Sequence, residues 1–394
     1  MLTILQLLLF WISFDFVYII YRAYLLIIQK RKLSSANHSL ISILIPAYNE
    51  EVCIEKTLKS CLHQTYPRKE VIVVDDGSTD NTLKKVKDFI SKNKNTISKK
   101  QLTIKTISQK NQGKAKALNT AKRQALGQIL VTIDADSHLH SHALDKIIKY
   151  FSSKEIGAVA GNVIAVSNKS LLGYLQKIEY ELGVHFIRNS QSAIGNVMVT
   201  PGALSAYKRD AISHFEEGTL TEDFDSSVRI LEKGYKIVMA PDALCYTQVP
   251  LSIGQLIKQR IRWQQGGIEV FAKHIFHKKR KSVTIEWIFL FIFGFYALFS
   301  KIIALFVVPL FTNYQGLTTA LTYLGLFYTY SIIIYVILFS FVYHYSHHKK
   351  SILAVPLFII YYHTIVLYSV LVAQILALKG VNKHGKKSTD TVSK

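Results

Sequence analysis

Val71-Ile72-Val73-Val74-Asp75-Asp76-Gly77-Ser78 is the stretch on which the fold turns. Four β-branched residues in a row read as a short buried strand; two acids follow, then a glycine turn and a serine suited to capping a helix. Upstream, Leu40–Tyr48 reads as a second such strand, and between the two Glu51–Gln64 places Ile54, Leu58, Cys61 and Leu62 at helical spacing. Downstream the alternation continues with a helix over Thr79–Ile90 capped by Thr79 or Asp80, a strand Leu102–Ser108, a helix Lys114–Ala125 and a strand Gln128–Ile133. A helix Ala143–Phe151, a strand Gly157–Val166, a longer helical stretch Leu171–Arg188, a helix Glu222–Lys233 ended by Gly234 and a strand Lys236–Ala240 follow. Strands that alternate with helices predict an α/β domain with a parallel sheet wound on both faces, here over residues 39–282.

Around this domain the composition changes. Leu2–Ile28 is nearly all apolar, with Asp15 and Arg22 as interruptions, and lacks both a basic start and a small-residue cleavage site, so residues 1–30 read as a retained anchor. Trp287–Phe311, Leu317–Tyr343 and Ile352–Leu378 each have the roughly 20 apolar residues that a helix needs to cross a bilayer, giving about three further spans over 284–378. The net charge of +22 raises the question of nucleic acid, but the basic clusters 30–32, 278–281 and 347–350 lie just beyond apolar segments. That placement fits loops on the cytosolic side and contact with anionic lipid, so the expected partner is a bilayer and not a nucleic acid. The domain then faces the cytosol at a plasma membrane. Four spans would leave the basic tail 379–394 outside, against the positive-inside tendency, unless one segment is interfacial or re-entrant. The three cysteines, Cys53, Cys61 and Cys245, form no CxxC pair and predict neither disulfides nor a zinc knuckle.

Acids recur where strands end. Ligands of open parallel sheets bind beyond the carboxyl ends of the strands, so Asp76, and less favourably Asp75, is a candidate for a nucleoside contact; helix capping is the plainer alternative. Asp134-Ala135-Asp136 follows the strand 128–133 in the same way, and two carboxylates at i and i+2 suit one hard cation, Mg²⁺ or Mn²⁺. His138, His140 and His142 come next and read as loop and first-turn residues, at most one of them near a metal. In Thr221-Glu222-Asp223, one acid is explained by the helix dipole and the second is not; Asp223 is the candidate general base. Lys114 starts a helix after Gly113 and can meet a diphosphate there, although the Walker spacing is missing. Residues 252–276 form an amphipathic, interfacial helix with Ile253, Leu256, Ile257 and Ile261 in one stripe, and Gln259, Arg262 and Trp263 on another face. Arg260 falls beside the stripe and is expected to snorkel toward lipid headgroups.

Taken in order, Ile45-Pro46-Ala47-Tyr48-Asn49-Glu50, residues 74–80, residues 113–119, Asp134-Ala135-Asp136, Thr221-Glu222-Asp223 and Gln259-Arg260-Ile261-Arg262-Trp263 resemble glycosyltransferase family 2, in its processive membrane branch. Within it, residues 156–162, the Asn168-Lys169-Ser170 turn and Lys177-Ile178-Glu179-Tyr180 are most similar to bacterial poly-N-acetylglucosamine synthases. Two features depart from that pattern: the histidines after Asp136, and residues 200–205, which are similar to hyaluronan- and chitin-type relatives. The resemblance implies a GT-A-like nucleotide-sugar-binding domain inserted between transmembrane helices. It further implies inverting, processive transfer of N-acetylglucosamine from a UDP-sugar donor to a growing polysaccharide acceptor, coupled to export, with a small membrane accessory subunit as a further partner. Pro46, Ala47, Glu50, Asp76, Lys114 and Asp134 would hold the donor, Asp134 and Asp136 the Mg²⁺ or Mn²⁺, and Asp223 would act as base. Gln259 and Arg262 would steady the diphosphate and Trp263 would stack on the acceptor. Hyaluronan-, chitin- or lipid-linked-sugar synthesis is the alternative, and a non-catalytic membrane scaffold a more distant one.

Overall fold

The computed structural model describes residues 16–29, 33–34, 39–167, 170–277, 281–289, 314–343 and 353–378. Expectations for residues 1–15, the basic clusters 30–32 and 347–350, residues 168–169, most of the span 287–311 and the tail 379–394 lie outside them. In chain order the elements are α1 (Phe16–Ile28), β1 (Ile41–Ala47), α2 (Ile54–Leu62), β2 (Lys69–Asp75), α3 (Thr82–Lys92), α4 (Lys94–Lys99), β3 (Thr103–Ser108), α5 (Lys114–Gln124) and β4 (Ile129–Thr132). Then come β5 (Ser137–Leu139), α6 (Ala143–Ile148), β6 (Ile156–Val166), α7 (Leu171–Tyr180), α8 (Arg188–Ala193), β7 (Ser205–Lys208), α9 (Glu222–Glu232), β8 (Lys236–Gln248) and α10 (Ile253–His274). Residues 281–289 are helical, and the helix Tyr314–Tyr343 and the apolar stretch Val355–Ala377 follow.

One eight-stranded sheet runs in the order β3-β2-β1-β4-β7-β6-β8-β5. The first four strands are parallel, as expected. The other half corrects the expectation of a purely parallel sheet: β7 is antiparallel to both β4 and β6, and β5 is antiparallel to β8. Neither β5, of three residues, nor β7, of four, is long enough to show a period-two pattern. β1 shows why the sheet must be covered on both faces. Ile41, Ile43 and Ile45 enter the core under α2 and α6, whereas Leu44 enters the core under α5 and α9.

Several boundaries also move. α3 starts at Thr82 with Asn81, and neither Thr79 nor Asp80, as its N-cap; Asp80 accepts the Thr82 N–H at 2.9 Å from one residue further out. The stretch read as one helix over 171–188 is α7, a π-helical segment Glu181–Ile187 and α8. β8 runs eight residues beyond Ala240, to Gln248. The largest correction concerns Arg260. It is 2% exposed, not snorkelling; its Nε and Nη2 donate to Glu179 of α7 at 2.8 and 2.7 Å, and its guanidinium lies 4.3 Å from the Trp263 ring centre. Tyr361 Oη donates to the same Glu179 carboxylate at 2.5 Å, so one part-buried charge pair joins α7, α10 and the apolar helix beginning at Val355. The helical stripe left the partner unnamed, since Glu179 lies 81 residues away.

Candidate active site

β1 is the strand from which the chain turns one way, to β2 and β3, while β4 joins it on the other side. Such a switch point opens a crevice at the carboxyl ends of the strands. Pro46 from β1 and Asp134 just after β4 face this crevice, with Lys114 from the start of α5, Gly202, and Glu222 and Asp223 from the start of α9. Lys114 lies across this cleft, its Nζ 2.7 Å from Asp134 Oδ1 and 2.8 Å from Glu222 Oε1. Burial would lower the Lys114 pKa, but Asp134, Glu222 and Asp223 outweigh it and hold the ammonium well above its ordinary range.

Asp223 sits in the first turn of α9 with a hydrogen bond on each oxygen, from Gly202 N at 3.1 Å and from its neighbour Phe224 N at 2.8 Å. Burial, with the adjacent Glu222 charge, pushes its pKa up to about 6, while Lys114 and the Phe224 N–H pull against that rise. The result is a carboxylate able to accept a proton near neutral pH. Arg188 faces the same group. Burial lowers its pKa, the Asp223 charge opposes this, and its Nη1 is buried with no hydrogen-bond partner among the described residues. The π-helical segment ends at the residue before Arg188, a type of irregularity that often marks functional sites.

Asp134 and Asp136 are both half-buried, with Ala135 buried between them. The Thr57 hydroxyl lies 2.7 Å from the carbonyl oxygens of Ala135 and Ser137, which ties this loop to α2. Burial and the Asp134 charge raise the Asp136 pKa, so negative charge here lacks full compensation. Two hard carboxylates with that surplus fit a hard cation. Of the histidines that follow, His138 stacks on Tyr246 with ring centres 5.2 Å apart, and burial lowers its pKa.

The last residue of β2, Asp75, and the acid after it, Asp76, divide their work in an unexpected way. Asp76 accepts from Gln109 Nε2 at 2.8 Å, Gln112 N at 3.0 Å and Gly113 N at 2.8 Å. Its carboxylate therefore fixes the loop that launches Lys114. Asp75 keeps a buried Oδ1 with no hydrogen-bond partner among the described residues. Gly77 has φ +73°, and a Cβ there would meet Asn111 N at 2.7 Å, so this turn and the 109–113 loop close on each other only through glycine. Ala47 O accepts from Asp76 N at 2.8 Å, and Glu50 O starts α2 by accepting from Cys53 N and Ile54 N.

Pro46, Lys114, Asp134 and Asp223 thus come together in one cleft, and Ala47, Glu50, Asp76 and Asp136 stand on the adjoining strand ends and loops without lining it. Gln259, Arg262 and Trp263 lie outside the lining, on α10. α10 nevertheless packs on the site: a Cβ on Gly266 would meet the Thr221 side chain at 2.4 Å, one residue before Glu222. Trp263 is 37% exposed and Arg262 is exposed. Sequence reasoning missed Glu222, Gly202 and Arg188. The second acid of Thr221-Glu222-Asp223 was a visible signal for Glu222; nothing marked Arg188.

Comparison with known proteins agrees with this geometry. The family model described as Glycosyl transferase family 2 matches residues 42–215, and the one described as Glycosyl transferase family group 2 matches residues 129–376. A poly-beta-1,6-N-acetyl-D-glucosamine synthase of Staphylococcus epidermidis is 36% identical over 238 residues, covering 59% of this chain and 56% of that protein. The synthase of the same name from Staphylococcus aureus is 35% identical over 240 residues, 60% of this chain and 56% of its own length. The matches thus span little more than half the length of these relatives. Among solved structures, a mannosyltransferase from Pyrobaculum calidifontis in complex with GDP-Man and Mn²⁺ superposes with a TM-score of 0.69 at 22% identity, covering 92% of this chain and 94% of its own, a likeness of fold.

Proposed function

This chain belongs to glycosyl transferase family group 2, and from that premise we propose that it transfers N-acetylglucosamine from UDP-N-acetylglucosamine to the end of a growing β-linked polysaccharide at a membrane. The observation that carries the reading is Asp223: a carboxylate with a pKa raised to about 6, in one cleft with Lys114 and Asp134. In the proposed step Asp223 takes the proton of the acceptor hydroxyl, whose oxygen bonds to the anomeric carbon as the bond to UDP breaks on the opposite face. The configuration inverts and UDP leaves with the electron pair. Lys114 would exchange its carboxylate partners for phosphate oxygens of the donor. Asp134 and Asp136 would hold Mg²⁺ or Mn²⁺, which when bound offsets the charge on the leaving diphosphate. Pro46, Ala47 and Glu50 would border the nucleoside. Asp76 would serve it indirectly, by setting the loop before Lys114. Gln259 and Arg262 would reach the diphosphate from α10, and Trp263 would offer its free face to the acceptor sugar.

Membrane placement belongs to the same reading. Among the described residues one stretch, Val355–Ala377, is long and apolar enough to cross a bilayer, with a hydropathy of 1.9. Exposed apolar side chains such as Ile20, Ile27, Leu326, Ile333, Ile360 and Ile375 support a lipid-facing surface. The domain would then be cytosolic, with the polymer passing outward between the helices and a small accessory subunit alongside. The test supplies membranes containing the protein with radiolabelled UDP-N-acetylglucosamine and a divalent cation, then digests the product with linkage-specific hydrolases. A polymer cut by a β-1,6-specific enzyme is expected, given the relatives' names. A lipid-linked monosaccharide as the sole product would remove processivity, and incorporation from a different UDP-sugar would change the substrate.

A further inference from the structure

α9 and α10 end side by side, and their ends carry a side-chain cluster that the transfer reaction does not use. Glu232 is the last residue of α9 and His274 the last of α10, and His277 follows three residues later. Each offers one ligand atom to a common point, all within 4.8 Å of one another. His274 Nδ1 is 3.0 Å from both Glu232 oxygens, His277 Nδ1 is 3.3 Å from Glu232 Oε1, and the two Nδ1 atoms are 3.2 Å apart. A tetrahedral zinc site with bonds of about 2.0–2.1 Å sets its ligand atoms about 3.3 Å apart. The triangle of 3.0, 3.2 and 3.3 Å is therefore close to one face of such a tetrahedron.

Two imidazolium Nδ1–H groups turned toward Glu232 would face each other at 3.2 Å; a metal ion in place of those two protons removes that repulsion and uses the same three ligand atoms. The far side of His274 is arranged as metal-bound imidazoles usually are. Its Nε2 lies 3.0 Å from Asp225 Oδ1, and Asp225 is itself held by Arg229 at 2.6 Å and Lys273 at 3.0 Å. His277 is exposed, which leaves a fourth position open to water.

We propose that Glu232, His274 and His277 form a zinc-type divalent-cation site that clamps the end of α9 to the end of α10. The donor set of two imidazoles and one carboxylate selects a first-row transition metal, in contrast to the all-carboxylate pair Asp134 and Asp136. Because α9 begins with Glu222 and Asp223 and α10 carries Gln259 to Trp263, occupancy fixes the two helices against each other. The experiment titrates chelator-treated, detergent-purified full chain with Zn²⁺ in excess Mg²⁺, reading stoichiometry with a competing chromophoric chelator and ligands by zinc K-edge absorption. Expected is one zinc per chain with nitrogen and oxygen ligands, retained in the D134N/D136N variant and weakened at least about tenfold in H277A and E232Q. His277 is at the surface, so H277A reports on the site without disturbing the core. No stoichiometric zinc, unchanged binding in H277A, loss only in D134N/D136N, or sulfur in the first shell would each overturn the proposal.

Discussion

At the scale of single residues, one lysine in the cleft faces three acids, and negative charge is in surplus. Asp223 must be ionised to accept a proton, and its pKa is pushed up to about 6. The acid limb of kcat/KM should therefore fall below about pH 6, by tenfold per pH unit. Lys114 lowers the Asp223 pKa, so K114M should move that limb to higher pH as well as weaken the donor. The same raised pKa has a stability consequence. A carboxyl group whose folded pKa exceeds its unfolded value favours the folded state at low pH, and that advantage is lost as pH rises through the folded pKa. Near neutral pH the charged Asp223 is thus a liability, so the parent should gain stability relative to D223N as pH falls below about 6; the amide also sets an NH2 group against one of the two backbone N–H donors, which adds a pH-independent cost to the variant. Thermal melts of the two proteins across that range check this. Asp76 acts through its loop, so D76N, which exchanges one acceptor oxygen for a donor facing backbone N–H groups, should raise KM for the donor by roughly 10–100-fold. Steady-state kinetics with kcat and KM resolved separate this from a chemical role.

At the scale of elements, α10 is the member on which sequence and structure differ most instructively. Its period located the helix, and Leu256 is buried as the stripe predicts. Yet Arg260 turned inward, because the Glu179 carboxylate was waiting there, contributed by a residue that no local window includes. Strand ends were legible for the opposite reason. Val71–Val74 and Ile129–Ile133 are apolar runs that stop at acids, and both ends of that pattern are local. β5 and β7 are too short to carry a period, and their antiparallel pairing depends on strands far along the chain. Hence Asp134 could be named from the strand-end pattern, Lys114 and Asp223 from helix starts, and Pro46 from the family resemblance, whereas Gly202 and Arg188 owe their place to tertiary packing alone. Gly266 tests the contact of α10 with the site. G266A places a Cβ 2.4 Å from the Thr221 side chain, so it should lower kcat by at least about tenfold through displacement of Glu222 and Asp223, with little change in overall helix content by circular dichroism.

At the scale of the whole molecule, charged side chains and their hydrogen bonds tie the domain to the apolar helices. Arg22 of α1 donates twice to Glu286, at 2.8 and 2.7 Å, and Gln191 of α8 adds a third bond to the same carboxylate at 3.0 Å. Both charged side chains are fully buried. E286A would leave Arg22 charged without its partner, a change expected to cost about 3–5 kcal/mol, read as a lower melting temperature in detergent. The Glu179–Arg260–Tyr361 group makes a corresponding tie through α7 and α10. All of this matters to function only if Asp223 is the base. The direct measurement is incorporation of radiolabelled N-acetylglucosamine from its UDP donor by membranes containing the parent protein or D223N, at equal protein amounts. A loss of about 10²–10⁴-fold in D223N with UDP binding retained is predicted; full turnover by D223N would contradict the account.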